Sequence, residues 1–314
     1  MKKRLIPTLC AYALVFVGLV CVDMVYVPLF SASKHHGTFR QTLTKAIMPD
    51  PHLNAIPEDI KTGEFDEPHD QQSPIAINMA DTTKVVDVNL RDIEFHYKSK
   101  RFEVKKGHAI DVFPLPVKNF LTGTEKLLID YIILDGMSYR LAQFHFHMPS
   151  EHSIDGKRYP LEVHFVHTSE KLDEKGVVRV DENGKPLFDY AVIGVLIIPG
   201  VPHAEFEKII ARMPAEKTEG AGNIIDQDID LMKLLPQDHR VLRYYGSLTT
   251  KPFTTGVKWQ LMKQPIEFSQ DQIDRIKKVM HMHENAREEQ VLRVPIVNDI
   301  VPDVEKSYQY QDQD

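Results

Sequence analysis

The chain has 314 residues, of which 42% are hydrophobic and 26% are charged, and its formal net charge is -7. This size and composition are typical of one large globular domain or two small ones. Beyond the first four residues no block is rich in lysine and arginine. Because nucleic-acid binding depends on clustered positive charge, we expect no nucleic-acid partner.

The N-terminus has the features of a targeting segment. Residues 2–4 are basic, residues 5–22 form an apolar run, and residues 31–33 are small, as signal peptidase requires. The apolar run also approaches membrane-spanning length. We interpret residues 1–33 as either a cleaved signal peptide or an uncleaved membrane anchor, with an ordinary buried helix as the third alternative.

Both targeting interpretations predict that the rest of the chain is exported. Cys10 and Cys21 lie in the apolar run, so the exported part has no disulfide, and it has no Asn-x-Ser/Thr glycosylation site. These absences favour a bacterial cell envelope over a eukaryotic secretory route. We expect a periplasmic protein, or one anchored to the membrane and facing the periplasm or exterior.

The remaining chain divides by its texture. Residues 34–70 are rich in histidine, acidic residues and proline and have little periodicity, which predicts an extension or linker. Residues 71–300 form the predicted main domain, and 301–314 form an acidic tail.

Six segments of the main domain alternate in polarity or form short apolar runs, which predicts strands. Turn signals such as Asp155-Gly156 and Asn183-Gly184 separate them. We therefore predict a mainly β domain of the α+β class, with a largely antiparallel sheet. The predicted strands are 85–88, 92–97, 127–134, 139–147, 161–166 and 191–198.

Helical patterns are fewer. An i, i+3, i+4, i+7 apolar stripe predicts a helix over 203–213, and a short helix is predicted over 228–235. A third is predicted over 271–280, with Ser269 as its N-cap and Gln272 in the capping-box position.

The sequence FHFHMPSEH at 144–152 holds three histidines in nine residues. In a strand, side chains alternate between the two faces, so His145, His147 and Gln143 share one face while the intervening phenylalanines suit a core. If 161–167 is also a strand, His164 lies on one face with Glu162 and Val166.

Pairing of these two strands would bring His145, His147 and His164 together. Three neutral imidazoles leave one tetrahedral position of a zinc ion open, and cobalt or iron could occupy the same cage. Gln143 and Glu162 are placed to accept the second ring N–H of neighbouring ligands. An isolated His-x-His is more often structural, as we interpret the pair at 281 and 283, but here a third histidine supports the metal site.

Several separated motifs in this order resemble the alpha-class carbonic anhydrases, over about residues 71 to 300. The matching segments are QSPI at 72–75, KGHA at 106–109, QFHFH at 143–147, SEH at 150–152, EVHFVH at 162–167, AVIG at 191–194, GSLTT at 246–250 with Pro252 and Trp259, and NAR at 285–287. The resemblance implies a large central, mostly antiparallel sheet with short peripheral helices.

The resemblance also implies a function: reversible hydration of carbon dioxide to bicarbonate and a proton, by attack of zinc-bound hydroxide. His145, His147 and His164 would hold Zn²⁺, with Gln143 and Glu162 supporting them. Carbon dioxide and bicarbonate would be the partners, and both a monomer and a homodimer remain open.

Further roles follow from the same resemblance. Thr249 would hydrogen-bond the hydroxide, Glu151 would accept the Thr249 hydroxyl proton, and His108 would carry protons to solvent. Thr250 would lie at the mouth of the site. The apolar wall for carbon dioxide would consist of Val166, Val192, Leu248 and Trp259.

The chain departs from the family in four places. Residues 34–70 lack the usual aromatic, glycine-rich stretch, Lys251 replaces a proline, and 168–190 has the pattern of an inserted hairpin. The cysteines that often tie the N-terminal segment to the Thr249 loop are missing, so we expect packing alone to hold this loop.

Two alternatives to the enzyme remain in view. A non-catalytic carbonic-anhydrase-like binding module would have lost zinc ligands, whereas this chain keeps all three, as well as Glu151 and Thr249. A zinc hydrolase of another kind is disfavoured because no separate general base accompanies the ligands.

Overall fold

The structure is a computed structural model that describes residues 70–86, 93–98, 101–115, 117–118, 125–126, 130–281 and 284–300. The predictions for 1–33, for nearly all of 34–70 and for the tail 301–314 therefore lie outside the described residues. The described residues fall within one compact unit, Asp66–Asp314. None of their helices is both long and apolar enough to cross a membrane.

Strands dominate the described part of the chain, which confirms the predicted mainly β fold. They are β1 Ala76–Ile77, β2 Thr83–Val86, β3 Glu94–His96, β4 Phe102–Lys106, β5 Ile110–Pro114, β6 Val117–Lys118, β7 Glu125–Lys126, β8 Tyr131–Leu134, β9 Met137–His147, β10 Ser153–Ile154, β11 Lys157–Arg158, β12 Leu161–Glu170, β13 Phe188–Pro199, β14 Asn223–Ile225, β15 Val241–Ser247, β16 Thr255–Met262, β17 Ile266–Phe268 and β18 Val297–Ile300.

One large sheet organises the domain, in the order β14-β4-β5-β9-β12-β13-β16-β15-β18-β2, with β3, β8 and β17 attached at its sides. The pairs β13–β16, β13–β17 and β18–β2 are parallel, and the other pairs of this sheet are antiparallel. The prediction of a mostly antiparallel sheet is confirmed.

The helices are short. Helix α1 covers Ala204–Ile210 and α2 covers Gln270–Val279, where Ser269 and Gln272 form the predicted capping box. The helix predicted over 228–235 is wrong, because the structure has only a 3₁₀ turn at Leu231–Leu234. Asp230 and Leu235 on either side of this turn are both extended, and Leu235 precedes Pro236, a position that disfavours the α conformation. A second 3₁₀ turn covers Met79–Asp81.

The 168–190 region has the predicted hairpin character, because it continues the β12–β13 pair. Strands β12 and β13 stay paired as far as Glu170 and Phe188, and tight turns with positive φ at Gly176 and Gly184 extend the same hairpin. Bridges between Leu172 and Val178, and between Val180 and Pro186, continue it irregularly.

Apolar clusters cover both faces of the sheet. The larger includes Phe144, Phe146 and Phe165, each fully buried, so the phenylalanine face predicted for 139–147 is confirmed. Full burial of one such ring contributes about 2–3 kcal/mol. The smaller cluster contains Trp259 and lies on the histidine side of the sheet.

Candidate metal centre and active site

The register between β9 and β12 places the polar residues of both strands on one face. His147 lies opposite Glu162, and His145 lies opposite His164. Residues directly opposite in an antiparallel pair point to the same face, so these side chains converge. Val166 lies opposite Gln143, and a bulge follows it in β12.

The three histidines meet at one buried point. His145 Nε2 and His147 Nε2 are 2.9 Å apart, and the ligand atoms of His145, His147 and His164 all lie within 4.8 Å of one another. Their relative exposures are 9%, 1% and 1%, so two of the three rings are almost fully buried.

In each ring, the nitrogen that points away from the shared point contacts a hydrogen-bond acceptor. A carbonyl or carboxylate oxygen can only accept, so the facing nitrogen carries the hydrogen and the remaining nitrogen keeps a lone pair. The contacts are His145 Nδ1 to Gln143 Oε1 at 2.9 Å, His147 Nδ1 to Asn285 O at 3.3 Å, and His164 Nε2 to Glu162 Oε1 at 2.8 Å. The donor set therefore fits a metal ion such as Zn²⁺, which takes imidazole nitrogens in tetrahedral geometry.

Electrostatics keeps two of the rings neutral. Burial, assisted by His164, lowers the pKa of His145 to about 3, and the same causes lower the pKa of His147 well below its usual range. Burial also acts to lower the pKa of His164, but the charge and hydrogen bond of Glu162 outweigh it and raise that pKa. Because a raised pKa favours protonation of His164, a metal that binds its Nδ1 would have to displace a proton from that nitrogen.

Glu162 is a buried carboxylate held in its charged form. Burial acts to raise its pKa, but His152 and His164 hold that pKa well below its usual range. Oε2 of Glu162 accepts the backbone N–H groups of Glu151 and His152, each at 2.9 Å. His152 Nδ1 donates to Oε1 at 2.7 Å, and the other His152 nitrogen meets Tyr244 at 2.7 Å.

Glu151 and Thr249 are brought together beside the triad. Glu151 Oε2 lies 3.4 Å from His147 Nε2 and 3.7 Å from His164 Nδ1. Burial raises the pKa of Glu151, and a hydrogen bond from the Thr249 side chain is among the contacts that partly oppose this rise. Thr249 is buried, with only 9% of its surface exposed.

An apolar wall adjoins the same point. Trp259 and Val192 are 1% exposed and belong to the smaller core cluster, and half-buried Val166 and Leu248 pack against that cluster. The Trp259 ring centroid lies 4.8 Å from that of His164. The structure thus places all four predicted wall residues in one cluster that adjoins the triad.

Hydrogen bonds, and not packing alone, hold the Thr249 loop. Ser73 N–H donates to Ser247 Oγ at 2.9 Å and Ser247 N–H donates to Ser73 Oγ at 3.0 Å, so Ser73 ties down the base of the loop. The expectation that packing alone holds this loop is wrong, because Gln72 and Ser73 form hydrogen bonds with it directly. Thr250 is exposed, as expected for a residue at the mouth.

His108 is exposed in the turn between β4 and β5. Asp111, three residues later, lies opposite His145 in the β5–β9 register and therefore points to the same face as that ring. A Cβ placed on Gly107 would be 3.5 Å from Asp111 Oδ2, so the carboxyl sits against the turn that carries His108.

We expect Asp111→Asn to stabilise the fold at pH 8 and to leave it unchanged near pH 4. Burial raises the Asp111 pKa to about 6, with His108 partly opposing it. Between a pH of about 4, where Asp111 ionises in the unfolded chain, and about 6, where it ionises in the folded protein, only the folded protein keeps the carboxyl protonated. The stability that Asp111 contributes is therefore lost as pH rises through this window. The gain at pH 8 is about 1–2 kcal/mol, since the group is partly exposed. Urea unfolding of both proteins from pH 4 to 8 measures it, and a gain independent of pH would contradict it.

Sequence reasoning missed three residues of this site. The Asn285 carbonyl accepts from His147 and its side chain donates to Phe146 O at 3.0 Å, while Arg287 N–H donates to Glu151 Oε1 at 2.8 Å. The third is Asp111. The motif NAR points to 285–287 without assigning contacts, and the only signal for Asp111 is its position three residues after the predicted shuttle histidine.

Comparison with known proteins points to one family. The family profile described as eukaryotic-type carbonic anhydrase matches residues 64–300. A carbonic anhydrase from Klebsiella pneumoniae is 32% identical over 247 residues, covering 78% of this chain and 85% of that protein. One from Neisseria gonorrhoeae is 33% identical over 228 residues, covering 72% of this chain and 76% of that protein.

The fold is shared with solved structures. The alpha-carbonic anhydrase of Thermovibrio ammonificans, in complex with the inhibitor sulfanilamide, has a TM-score of 0.58 and 35% identity, covering 73% of this chain and 87% of that one. That of Photobacterium profundum has a TM-score of 0.57 and 30% identity, covering 73% and 89%. Since the profile spans most of the chain and relatives above 30% identity span most of its length, this chain belongs to the eukaryotic-type, or alpha-class, carbonic anhydrase family and is a carbonic anhydrase that hydrates carbon dioxide.

Proposed function

We propose that hydration by this enzyme depends on Zn²⁺ held by His145, His147 and His164 and on proton export through His108. One observation carries the proposal: three buried imidazole nitrogens with free lone pairs converge, while an acceptor fixes the opposite nitrogen of each ring. Without a cation, such a cluster would leave buried acceptors facing each other, which is costly. The binding-module alternative has no comparable support, because the chain keeps every residue of this set.

When bound, zinc would supply a water oxygen that is nucleophilic near neutral pH, because the ion lowers the pKa of a water that it binds. The chain's own groups would orient the reaction. Thr249 lies close enough to Glu151 to lower the pKa of that carboxyl, and its hydroxyl would donate to Glu151, which would leave the oxygen lone pairs to accept a hydrogen bond from the attacking water. This arrangement selects one orientation of the water.

Carbon dioxide is apolar and would lie against the wall formed by Val192, Val166, Leu248 and Trp259. Burial of these side chains excludes competing water, and the wall adjoins the His164 ring. Thr250, exposed at the mouth, would contact departing bicarbonate. This placement holds substrate beside the attacking oxygen without a covalent intermediate.

The proton produced must leave a site whose ligands are buried. His108 is exposed on the β4–β5 turn, and an imidazole ring can both accept and donate a proton. The strand β5 that follows this turn pairs directly with β9, which carries two of the ligands. His108 would therefore receive protons through bridging water and release them to solvent.

We expect His108→Ala to lower kcat for hydration about tenfold or more while kcat/KM changes little, because proton export follows the carbon dioxide step. Stopped-flow hydration by the full chain measures both, and imidazole buffer should restore kcat. His96→Ala is the control, since the His96 ring stacks on Tyr131, with 4.5 Å between the ring centroids, and makes no contact with the triad. Unchanged kcat in His108→Ala would move proton export to another group.

We also propose that the enzyme is exported and acts in the periplasm, or anchored to the membrane and facing the periplasm or exterior. The basic start, apolar run and small residues within 1–33 support this, as does the lack of cysteine after Cys21. Cell fractionation with sequencing of the mature N-terminus tests it: a cleaved chain indicates a signal peptide, a retained segment in the membrane indicates an anchor, and cytosolic full-length enzyme contradicts both.

A further inference from the structure

The loop that carries Thr249 must hold one hydroxyl in place although much of the loop faces solvent. It joins β15 to β16, and its residues 250–252 are exposed. Leu248 N–H donates to Thr254 O at 2.8 Å, which closes the loop on itself. Hydrogen bonds to Ser73 fix the base of the loop but do not reach its far end.

Phe253, at that far end, adopts a φ of 61°. This left-handed conformation is uncommon for a bulky residue and is retained only where the surroundings enforce it. The Phe253 N–H donates to Thr250 O at 2.8 Å, and Gln72 Nε2 donates to Phe253 O at 3.4 Å. The strained residue is therefore held from two sides.

The side chain of Arg287 contacts Phe253 from a third direction. Its guanidinium carbon lies 3.7 Å from the centroid of the Phe253 ring, in cation–π geometry. Its Nη1 donates to Gln72 Oε1 at 2.9 Å and to Ser73 O at 2.7 Å. The half-buried side chain of Arg287 thus contacts both the loop and residues Gln72 and Ser73, which bind the loop.

The backbone of the same residue reaches the site. Arg287 N–H donates to Glu151 Oε1 at 2.8 Å, and Glu151 is the carboxyl that we propose accepts from the Thr249 hydroxyl. Arg287 therefore links the two groups of the Thr249–Glu151 pair: it fixes the carboxyl through its backbone and the loop through its guanidinium.

We propose that Arg287 and Phe253 form a clamp that positions the Thr249 hydroxyl against Glu151 and so sets the rate of carbon dioxide hydration. The inference rests on the proposed function of Thr249. Both are positioning residues, since they act through Thr249 and do not touch substrate. The flat face and the directed N–H groups of the guanidinium are both used, and lysine offers neither.

The test compares Arg287→Lys and Phe253→Leu with wild type in the full-length zinc enzyme. We expect kcat/KM to fall about tenfold in Arg287→Lys and about threefold in Phe253→Leu, with zinc content unchanged, because a displaced hydroxyl weakens the reaction step but not the ligands. Phe253→Tyr keeps the ring and should keep wild-type activity. Arg293→Lys is the matched control, since Arg293 is exposed and pairs with Asp70 on the surface.

A second readout does not depend on activity. Hydrogen exchange of residues 248–254 should quicken in both clamp variants, with or without zinc, while exchange in β12 stays at the wild-type rate. Trp259 is the only tryptophan, and its indole N–H donates to Ser247 O at 3.0 Å, so its fluorescence reports on the base of the loop. In the clamp variants we expect the Trp259 fluorescence to change little, because the clamp acts at the far end of the loop and Ser73 holds its base.

The outcomes separate the clamp from the proposed function. If both variants keep wild-type kcat/KM and loop protection while Thr249→Ala loses activity, the clamp is overturned and the function of Thr249 stands. If Thr249→Ala keeps full activity, the proposed function of Thr249 fails, whatever the exchange data show. Loss of zinc or of protection throughout the sheet in the clamp variants would also overturn positioning, since it would indicate a general structural role.

Discussion

Replacement of His164 by alanine is expected to abolish hydration. The variant removes one of three converging nitrogens and leaves a metal with two protein ligands, so stoichiometric zinc should be lost. Activity should fall at least about 10⁴-fold, towards the rate without enzyme. Metal analysis and stopped-flow hydration of the full chain measure the two effects independently.

The fold should survive this change. Glu162 keeps its hydrogen bonds from His152 and from two backbone N–H groups, so its charge stays paired when His164 is lost. Circular dichroism and thermal unfolding check this, and His239→Ala, which removes a histidine that packs on Phe95, is the matched control. A His164→Ala protein that retains one zinc and wild-type turnover would show that the triad is not the metal site.

Replacement of Thr249 by alanine is expected to lower kcat/KM about 100-fold without loss of zinc, the cost of removing one oriented hydrogen-bonding group at a reacting oxygen. Glu151→Gln should produce a similar loss. The carboxylate only accepts hydrogen bonds, whereas the amide has one accepting oxygen and a donating NH₂ group, so the Thr249 hydroxyl is no longer held in one direction. Stopped-flow hydration with metal analysis measures both.

The two residues are expected to act as one unit. The double variant should lose no more activity than the worse single variant, as for groups in one hydrogen-bond chain. Thr249→Ser keeps the hydroxyl and should recover most of the activity, while Thr255→Ala removes a hydroxyl at the start of β16 and serves as control. Additive losses would mean that Glu151 acts by a route other than Thr249.

The polar row of the site could be predicted because strand geometry is local. Alternation places His145 and His147 on one face, and the same rule places Glu162 and His164 together on another strand. Only the pairing of β9 with β12 had to be assumed, and a shift by one residue would have turned one set to the opposite face. The register found brings His145 opposite His164.

Helix boundaries show where local rules are insufficient. The capping box at Ser269 and Gln272 is a contact between near neighbours, and it was predicted correctly. The segment 228–235 was predicted as a helix but folds as a 3₁₀ turn, because Asp230 and Leu235 are extended and Pro236 disfavours the α conformation at Leu235. The extent of β12 and β13 likewise depends on their mutual pairing, which no single segment specifies.

By itself the sequence determined the strand-rich fold class, the family motifs and the set of histidines available to a metal, since all of these reside in the order and spacing of residues. Only the tertiary structure decided which distant groups complete the site. Asn285 reaches His147 across 138 positions of chain, and Arg287 reaches Gln72 across 215. Such contacts depend on how separate strands and loops close on each other, and a pattern that repeats every two or four residues carries no information at that range.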